Sequence, residues 1–228
     1  MSNLEEKDVN VLTQEEFDEE IVKALRNNRI FIKFTDVIVK DVEIKFIYKA
    51  LIGINFQNCR IGSISCDYFT LYHMILGIKF YNCDIVDYEK VEGISKYDIT
   101  DCTFIKPVPF VCPEEGEFIG YKKCEHSDKK EGYYEHCIVK LLVPADAKRS
   151  SAFTNKCRCD KAKVLGIFDL DGNEIDYINR AYSCFDKKFT YRIGEWVYPN
   201  SFDDNRFKEC SHGIHFFMTF EESREYVL

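Results

Sequence analysis

The sequence predicts a mainly β protein: an N-terminal capping helix, a short β-solenoid with four short sides, and then an α+β domain. The solenoid is indicated by an eight-residue segment that nearly recurs, INFQNCRI at residues 54–61 and IKFYNCDI at residues 78–85. The second domain is indicated by FIKPVPFVCPEEG, residues 104–116, which contains three of the five prolines and after which the repeat is lost. The predicted boundaries are 1–28 for the acidic capping helix, 29–106 for the solenoid, 107–117 for a linker and 118–228 for the α+β domain.

The capping helix is predicted from TQEEFDEEIVKALRNN, residues 13–28. Thr13 and Glu16 fit a capping box, and Phe17, Ile21 and Leu25 form an apolar stripe at helical spacing. We expect this helix to cover the open end of the solenoid, since an exposed β-edge invites aggregation. The alternative is an acidic helix that binds a partner.

The repeat has two further copies, IKFTDVIV at residues 32–39 and YDITDCTF at residues 97–104. The central apolar residues are Phe34, Phe56, Phe80 and Ile99, separated by 22, 24 and 19 residues. Within a copy the apolar positions stand five apart, which fits neither the helical nor the strand period. Coils of about twenty residues with four sides explain both periods, with Asn or Asp at the corners.

Three cysteines occupy a small inward position of this repeat: Cys59, Cys83 and Cys102. Val37 stands at the same position in the first copy. A thiol that alternates with valine indicates packing, because free cysteine behaves as a small apolar side chain. We therefore predict a structural role for these three.

Residues 28–106 resemble the pentapeptide-repeat family in the units INFQN-CRIGS, IKFYN-CDIVD and YDITD-CTFIK, with a degenerate stretch at residues 88–96. The resemblance implies a right-handed quadrilateral β-solenoid. Some members of that family inhibit a topoisomerase by imitating DNA, which makes a DNA-mimic inhibitor of a host DNA-binding enzyme one alternative function. Basic residues at exposed positions, among them Lys33 and Arg60, dilute the acidic surface that this needs.

The sequence of the second half predicts strands at residues 118–124, 137–145 and 213–219. It also predicts a hairpin across Asp171 and Gly172 and a terminal helix capped by Thr219. It resembles the uncharacterised domain at the C-terminus of pentapeptide-repeat proteins of bacteriophages and large viruses. The segments that carry this resemblance are FIGYKKC, IVKLLVPADAKRSSAFTNKCRCDKAKVLGI, FTYRIGEWVYPNSFD and ECSHGIHFFMT. It implies a viral origin and no defined activity.

The composition argues against nucleic acids and membranes as partners. A net charge of −8 argues against a general affinity for nucleic-acid phosphates. The sequence has no apolar run of about 18 residues and no secretory signal, which predicts a protein of the reducing cytoplasm with no membrane partner. In that compartment the 11 cysteines are expected to be free thiols.

A basic segment at residues 148–163 carries six basic residues against one aspartate. Arginine forks and serine hydroxyls suit a phosphate or carboxylate, so we predict ligand-binding roles in this segment. The predicted residues are Arg149, Ser150, Ser151, Lys156 and Arg158. The alternative is a solvated charged face that pairs with the acidic N-terminal half.

Two short segments, TYRIGEWV and ECSHGIHFF, contribute a second predicted group: Arg192, Glu195, Trp196, His212 and His215. An arginine beside aromatic faces fits a pocket for a nucleotide base. For His215 alone, the alternating pattern with Ile214 and Phe216 also fits a core histidine on a strand.

Metal and enzyme motifs give weaker signals. Zinc ligands could come from Cys157 with Cys159, Cys124 with His126, and Cys210 with His212, but no C-x2-4-C knuckle is present, and we predict no metal and no cofactor. SHGIHFF resembles a strand of ADP-ribosyltransferases, which implies roles for Arg149, Ser150 and Ser151 and a glutamate among Glu195, Glu221 and Glu222. An NAD-using enzyme of that kind is therefore a second alternative.

These patterns favour a non-catalytic, phage-type binding protein of the host-cell cytoplasm. We expect it to sequester a phosphate-bearing ligand, such as a nucleotide or a nucleotide-derived immune signal, or a host protein, through residues 118–228. Such a protein would act against host defence. The sequence leaves the oligomeric state open, a homo-oligomer included.

Overall fold

The computed structural model describes residues 10–45, 52–66, 75–127 and 134–227. The protein is mainly β, and its chain divides into two compact units, Met1–Val108 and Pro109–Leu228. Residues 1–9 of the predicted capping segment, 46–51 and 67–74 of the predicted solenoid, and 128–133 of the predicted α+β domain lie outside the described residues. In the part of the chain that the structure describes, neither helix is long and apolar enough to span a membrane.

Helix α1 of the first unit is Gln14–Arg26, and its predicted capping box is confirmed. Thr13 accepts a hydrogen bond from the Glu16 amide, and the Glu16 carboxylate accepts one from the Thr13 amide at 2.9 Å. Of the predicted stripe, Phe17 and Ile21 are buried. The ring of Phe17 stacks on that of Phe34 with 5.2 Å between centroids, so the helix covers the first ring of the internal stack.

The strands of the first unit form three parallel sheets. They are β1 (Val11–Leu12), β2 (Phe31–Thr35), β3 (Ile38–Val39), β4 (Val42–Ile44), β5 (Ile52–Gln57), β6 (Arg60–Ile61), β7 (Ile64–Cys66), β8 (Ile75–Tyr81), β9 (Asp84–Ile85), β10 (Asp98–Thr100) and β11 (Thr103–Phe104). Two 3₁₀ turns, Tyr88–Lys90 and Ile94–Lys96, occupy the stretch where the repeat is degenerate. The strand orders are β1-β3-β6-β9-β11, β10-β8-β5-β2 and β4-β7.

The repeats pair in register. Phe34 lies beside Phe56, Phe56 beside Phe80, and Phe80 beside Ile99. The Phe34, Phe56 and Phe80 rings stack with 5.5 Å between neighbouring centroids. The Asn or Asp of each copy has a positive φ, as a tight corner requires: Asp36, Asn58, Asn82 and Asp101. The side-chain amide of Asn58 donates a hydrogen bond to the Asp36 carboxylate, and that of Asn82 donates one to Asn58 Oδ1, both at 3.0 Å.

The repeat cysteines lie inside the first unit. Cys59 and Cys83 are buried, as is Val37 at the equivalent position. The Cys59 amide lies 3.4 Å from the Cys83 sulfur, and the Cys83 amide lies 3.4 Å from the Cys102 sulfur. The thiols therefore pack beside one another along the parallel strands, and those of Cys83 and Cys102 accept weak hydrogen bonds there.

The second unit contains two antiparallel sheets and a terminal helix. Its strands are β12 (Phe118–Ser127), β13 (Tyr134–Val143), β14 (Arg149–Ser150), β15 (Cys157–Cys159), β16 (Ala162–Phe168), β17 (Arg180–Ser183), β18 (Thr190–Arg192), β19 (Trp196–Val197) and β20 (Ile214–Phe216). One sheet has the order β18-β17-β12-β13-β16-β19 and the other β14-β15-β20. Helix α2, Phe220–Glu225, begins at the predicted N-cap Thr219.

Two segments differ from the sequence-based expectation. The predicted hairpin turns at Gly172, φ 91°, but its second strand is reduced to a single bridge between Phe168 and Glu174. The reason is that the Asp169 carboxylate binds the amides of Asp171 and Asn173 and curls the chain into a loop. The segment predicted as a linker contributes buried Cys112 to the core of the second unit.

Candidate functional site

A cavity of about 530 Å³ lies in the second unit between β12, β18, β20 and the segment 199–213. We call it the lysine cavity, because Lys122, Lys123 and Lys156 all line it. Its volume lies in the range of small-molecule sites, roughly 300–1,000 Å³. Among its described lining residues Asp186 is the one carboxylate, so the lining is basic although the chain is acidic.

Lys122 projects from β12 into the interior. Its Nζ donates a hydrogen bond to the carbonyl oxygen of His215 at 3.0 Å and lies 6.0 Å from the centre of the Tyr191 ring. Burial lowers the pKa of the Lys122 ammonium. A lysine in this position carries a charge that the surroundings solvate poorly, so an anion in the cavity would stabilise it.

Lys156 and Lys123 stand near the C-terminal segment. Lys156 Nζ lies 3.3 Å from the Tyr226 hydroxyl, 3.5 Å from the Cys210 sulfur and 5.4 Å from the centre of the Tyr226 ring. Lys123 Nζ donates to the carbonyl oxygens of Arg224 and Tyr226, both at 2.9 Å. Within the described parts of the chain, no salt bridge joins any of the three cavity lysines to a carboxylate.

His215 is a neutral base at the cavity wall. Burial, reinforced by the charges of Lys122 and Lys156, lowers its pKa to about 3. Its Nε2 lies 3.0 Å from the Glu209 carbonyl oxygen, which can only accept, so Nε2 carries the proton. Nδ1 is then the unprotonated nitrogen of the ring.

Aromatic side chains complete the lining: Phe185, Phe189, Tyr191, Phe217 and Tyr226. Phe189 lies 5.2 Å from Tyr191 between ring centroids, and Phe217 lies 5.1 Å from Tyr226. Phe185 is 74% exposed at the rim. A ligand with both an anionic group and a flat ring would find complementary partners here.

The segment 199–213 on one side of the cavity is held by Arg158. This arginine is 1% exposed. Its Nη1 donates to the carbonyl oxygens of Asp203 and His212, and its Nη2 donates to Asn205 O and Ser150 Oγ. Arg158 therefore positions the cavity wall, and its guanidinium forms hydrogen bonds within the fold.

The predicted basic segment is divided by the structure. Lys156 lines the lysine cavity, whereas Arg149, Ser150, Ser151 and Arg158 use their polar atoms within the fold. Ser151 Oγ accepts from the amides of Val111 and Cys112. The Arg149 guanidinium donates to five carbonyl oxygens: Ala147, Pro113, Gly116, Pro144 and Ala145. Most donors and acceptors of these four residues are therefore engaged within the fold, although Arg158 Nε is buried without a hydrogen-bond partner among the described residues. Their ligand-binding role stays a prediction.

The second predicted group is also divided. His212 and His215 line the lysine cavity, whereas Arg192, Glu195 and Trp196 do not. Trp196 pairs with Lys163 at a sheet edge and is 44% exposed. The sequence reasoning missed Lys122 and Lys123, whose signal was a lysine pair inside the strand segment FIGYKKC.

The cysteine and histidine pairs that were considered as possible zinc ligands do not come together as a three-ligand group among the described residues. Among side chains of described placement, none of these six joins a group of three metal-binding residues: Cys124, His126, Cys157, Cys159, Cys210 and His212. Burial raises the pKa of the Cys124 and Cys159 thiols to about 12.

Fold and site together define a mainly β protein that carries a basic, aromatic-lined cavity in its second unit. The chain belongs to the family of unknown function DUF5758, whose model matches residues 108–223. The expectation of an uncharacterised family over the second half is thus confirmed. No pentapeptide-repeat family model matches the first half. No curated protein matches the chain. No solved structure matches it either.

Proposed function

We propose that this is a non-catalytic binding protein that captures a phosphate-bearing small molecule, a nucleotide or a nucleotide-derived signal, in the lysine cavity. One observation carries the proposal: Lys122, Lys123 and Lys156 converge on one cavity whose described lining holds a single carboxylate. Collecting like charges in a partly dry site costs free energy, which an anionic ligand would offset.

The aromatic lining supports a nucleotide over a bare phosphate. Phe189 and Tyr191 lie against each other in the lining of the cavity, and Phe217 and Tyr226 do so beside Lys156. Stacking of a base on an aromatic side chain is worth roughly 1–3 kcal/mol, so rings and ammonium groups would bind the two halves of a nucleotide. The neutral His215 ring would add a hydrogen-bond acceptor at Nδ1.

Binding without catalysis is favoured over the ADP-ribosyltransferase alternative by the position of the acids. Glu195, Glu221 and Glu222, the glutamates that the alternative needs, are not among the described residues that line the cavity. The DNA-mimic alternative has no comparable structural support.

For the first unit we propose a right-handed quadrilateral β-solenoid of the pentapeptide-repeat type that serves as a rigid scaffold. The in-register Phe34, Phe56 and Phe80 and the positive-φ corners at Asn58 and Asn82 support it. We further propose, from the viral resemblance of the second half, that the protein acts in the host cytoplasm against a host defence, by sequestering a nucleotide signal. A host protein is the alternative partner.

Titration calorimetry with ATP, NAD, a cyclic dinucleotide and inorganic phosphate tests the binding proposal. We expect at least one nucleotide to bind, and Lys122→Met and Lys156→Met to weaken it at least about tenfold, since a hydrogen bond to a charged group is worth roughly 1.5–3 kcal/mol. Lys148→Met is the matched control, because it removes the same charge at an exposed site paired with Asp204.

Absence of heat with all four probes, or equal losses in the control variant, would refute nucleotide capture by the cavity. Transfer of label from NAD to a host lysate would instead favour the enzyme alternative. Inhibition of DNA supercoiling by the purified chain would favour the DNA mimic.

A further inference from the structure

Three potential metal ligands meet on the six-stranded sheet of the second unit: Glu125, His136 and Cys184. A carboxylate oxygen, an imidazole nitrogen and the thiol sulfur all lie within 4.8 Å of one another. Across the residues that the structure describes, this is the one group of three such side chains. None of the three was singled out by sequence motif, because Glu125 comes from β12, His136 from β13 and Cys184 from the bend after β17.

The strand register brings the three together. Glu125 on β12 lies directly opposite His136 on β13 and, on its other side, opposite Tyr182 on β17. Cys184 follows two residues after Tyr182. Cys184 lies in a bend directly after the end of β17, and its sulfur approaches the donor atoms of Glu125 and His136 within 4.8 Å.

We propose that Glu125, His136 and Cys184 form a binding site for a zinc ion. A thiolate with an imidazole selects Zn²⁺ over Mg²⁺ and Ca²⁺, which prefer all-oxygen ligands. Donor atoms around tetrahedral zinc lie roughly 3–4 Å apart, so small side-chain rotations suffice. His136 is exposed and Cys184 partly so, which leaves room for these rotations and for a water molecule as fourth ligand.

A cation already neutralises this site. The Lys187 ammonium pairs with the Glu125 carboxylate and lies 4.7 Å from the centre of the Tyr134 ring. Zinc would replace Lys187 as the partner of Glu125. It would also tie Cys184 to the sheet, next to Phe185 and Asp186 at the rim of the lysine cavity. The inference does not depend on what the cavity binds.

Calorimetric titration of Zn²⁺ into the full chain tests the site, in a Cys210→Ser background that removes the exposed thiol. We expect one zinc ion per chain. Cys184→Ser and His136→Ala should each weaken binding at least about tenfold, since even changes around metal ligands cost 10- to 100-fold. Lys187→Met should strengthen it, because the competing ammonium is gone.

His212→Ala, which removes an exposed histidine elsewhere, is the matched control, and circular dichroism verifies that each variant is folded. Co²⁺ should give a thiolate-to-metal charge-transfer band that Cys184→Ser abolishes. Zinc affinity that is unchanged in folded Cys184→Ser or His136→Ala protein, or Mg²⁺ binding as tight as Zn²⁺ binding, would overturn the proposal.

Discussion

The guanidinium of Arg158 donates a hydrogen bond to the carbonyl oxygen of His212, with 2.7 Å between Nη1 and O. His212 lines the lysine cavity, whereas Arg158 is buried behind it. Further donation to Asp203 and Asn205 fixes the same loop at three points. A buried arginine thus shapes the cavity wall, and an effect of its mutation on binding would be indirect.

Replacing Arg158 by methionine should destabilise the second unit. The change leaves the carbonyl oxygens of Asp203, Asn205 and His212 without their arginine donor, and we expect a loss of roughly 3 kcal/mol in the free energy of unfolding. Urea denaturation followed by fluorescence of the single tryptophan, Trp196, measures it.

The control for this experiment is Arg192→Met, which removes an arginine from an edge strand, β18. Its unfolding free energy should change by less than about 1 kcal/mol. Equal urea midpoints for Arg158→Met and wild type would show that Arg158 does not hold the loop.

Replacing Lys122 by methionine should stabilise the protein while it weakens nucleotide binding. Burial lowers the pKa of this ammonium in the folded state, so protonation favours the unfolded chain at every pH below the ordinary value of 10.5. Methionine keeps most of the volume without the charge, and we expect a gain of about 1 kcal/mol at pH 7.

The gain should shrink as the pH rises from the lowered pKa of the folded state to 10.5, and it should vanish above 10.5, where the lysine becomes neutral in both states. Denaturant midpoints at pH 7 and pH 10 measure this difference, with Lys148→Met as the exposed control. A Lys122→Met protein that is less stable than wild type at pH 7 would contradict the prediction. Loss of the hydrogen bond to His215 would then outweigh the removed charge.

Replacing Phe56 by alanine should strongly destabilise the first unit. Its side chain is fully buried and lies between the rings of Phe34 and Phe80. The cavity left in the stack should cost roughly 3–5 kcal/mol. Thermal unfolding followed by circular dichroism measures the change.

Phe31→Ala is the matched control, since Phe31 lies on the neighbouring strand β2 and is 55% exposed. It should cost about 1 kcal/mol or less. Similar losses in the two variants would mean that the stacked rings do not form the core of this unit.

The strand pairing of the first unit could be predicted from the sequence, because paired strands come from neighbouring copies of the recurring segment. The recurring segments pair as parallel strands with equivalent residues side by side, so the spacing of Phe34, Phe56 and Phe80 already indicates which strands pair. The corner residues follow too, since Asn and Asp tolerate a positive φ better than other side chains.

The lysine cavity was harder to predict from the sequence, because its lysines come together through a strand order that does not follow the order of the chain. Lys122 comes from β12, and Lys156 precedes β15, which belongs to the other sheet. The concentration of basic residues along the sequence indicated Arg149 and Arg158. It does not reveal whether their side chains point into a cavity or hydrogen-bond to the chain itself. The carbonyl partners of Arg149 come from separate segments of the chain.

Acidification should destabilise the second unit through His215. The pKa of this histidine is about 3 in the folded state, because burial and then the charges of Lys122 and Lys156 disfavour the imidazolium; Arg158 acts in the same direction. In the unfolded chain the ordinary value is 6.5. Stability from His215 is therefore complete above pH 6.5 and is lost as the pH falls toward 3, by up to about 1.4 kcal/mol per pH unit.

His215→Gln isolates this contribution from that of the carboxylates, since glutamine keeps an N–H donor for the Glu209 carbonyl oxygen and does not titrate. Between pH 7 and pH 4 we expect the variant to lose less unfolding free energy than wild type, in urea titrations followed by Trp196 fluorescence. His212→Gln, at an exposed position, should follow the wild-type profile. If His215→Gln follows it as well, folding does not lower the pKa of His215, and the prediction is contradicted.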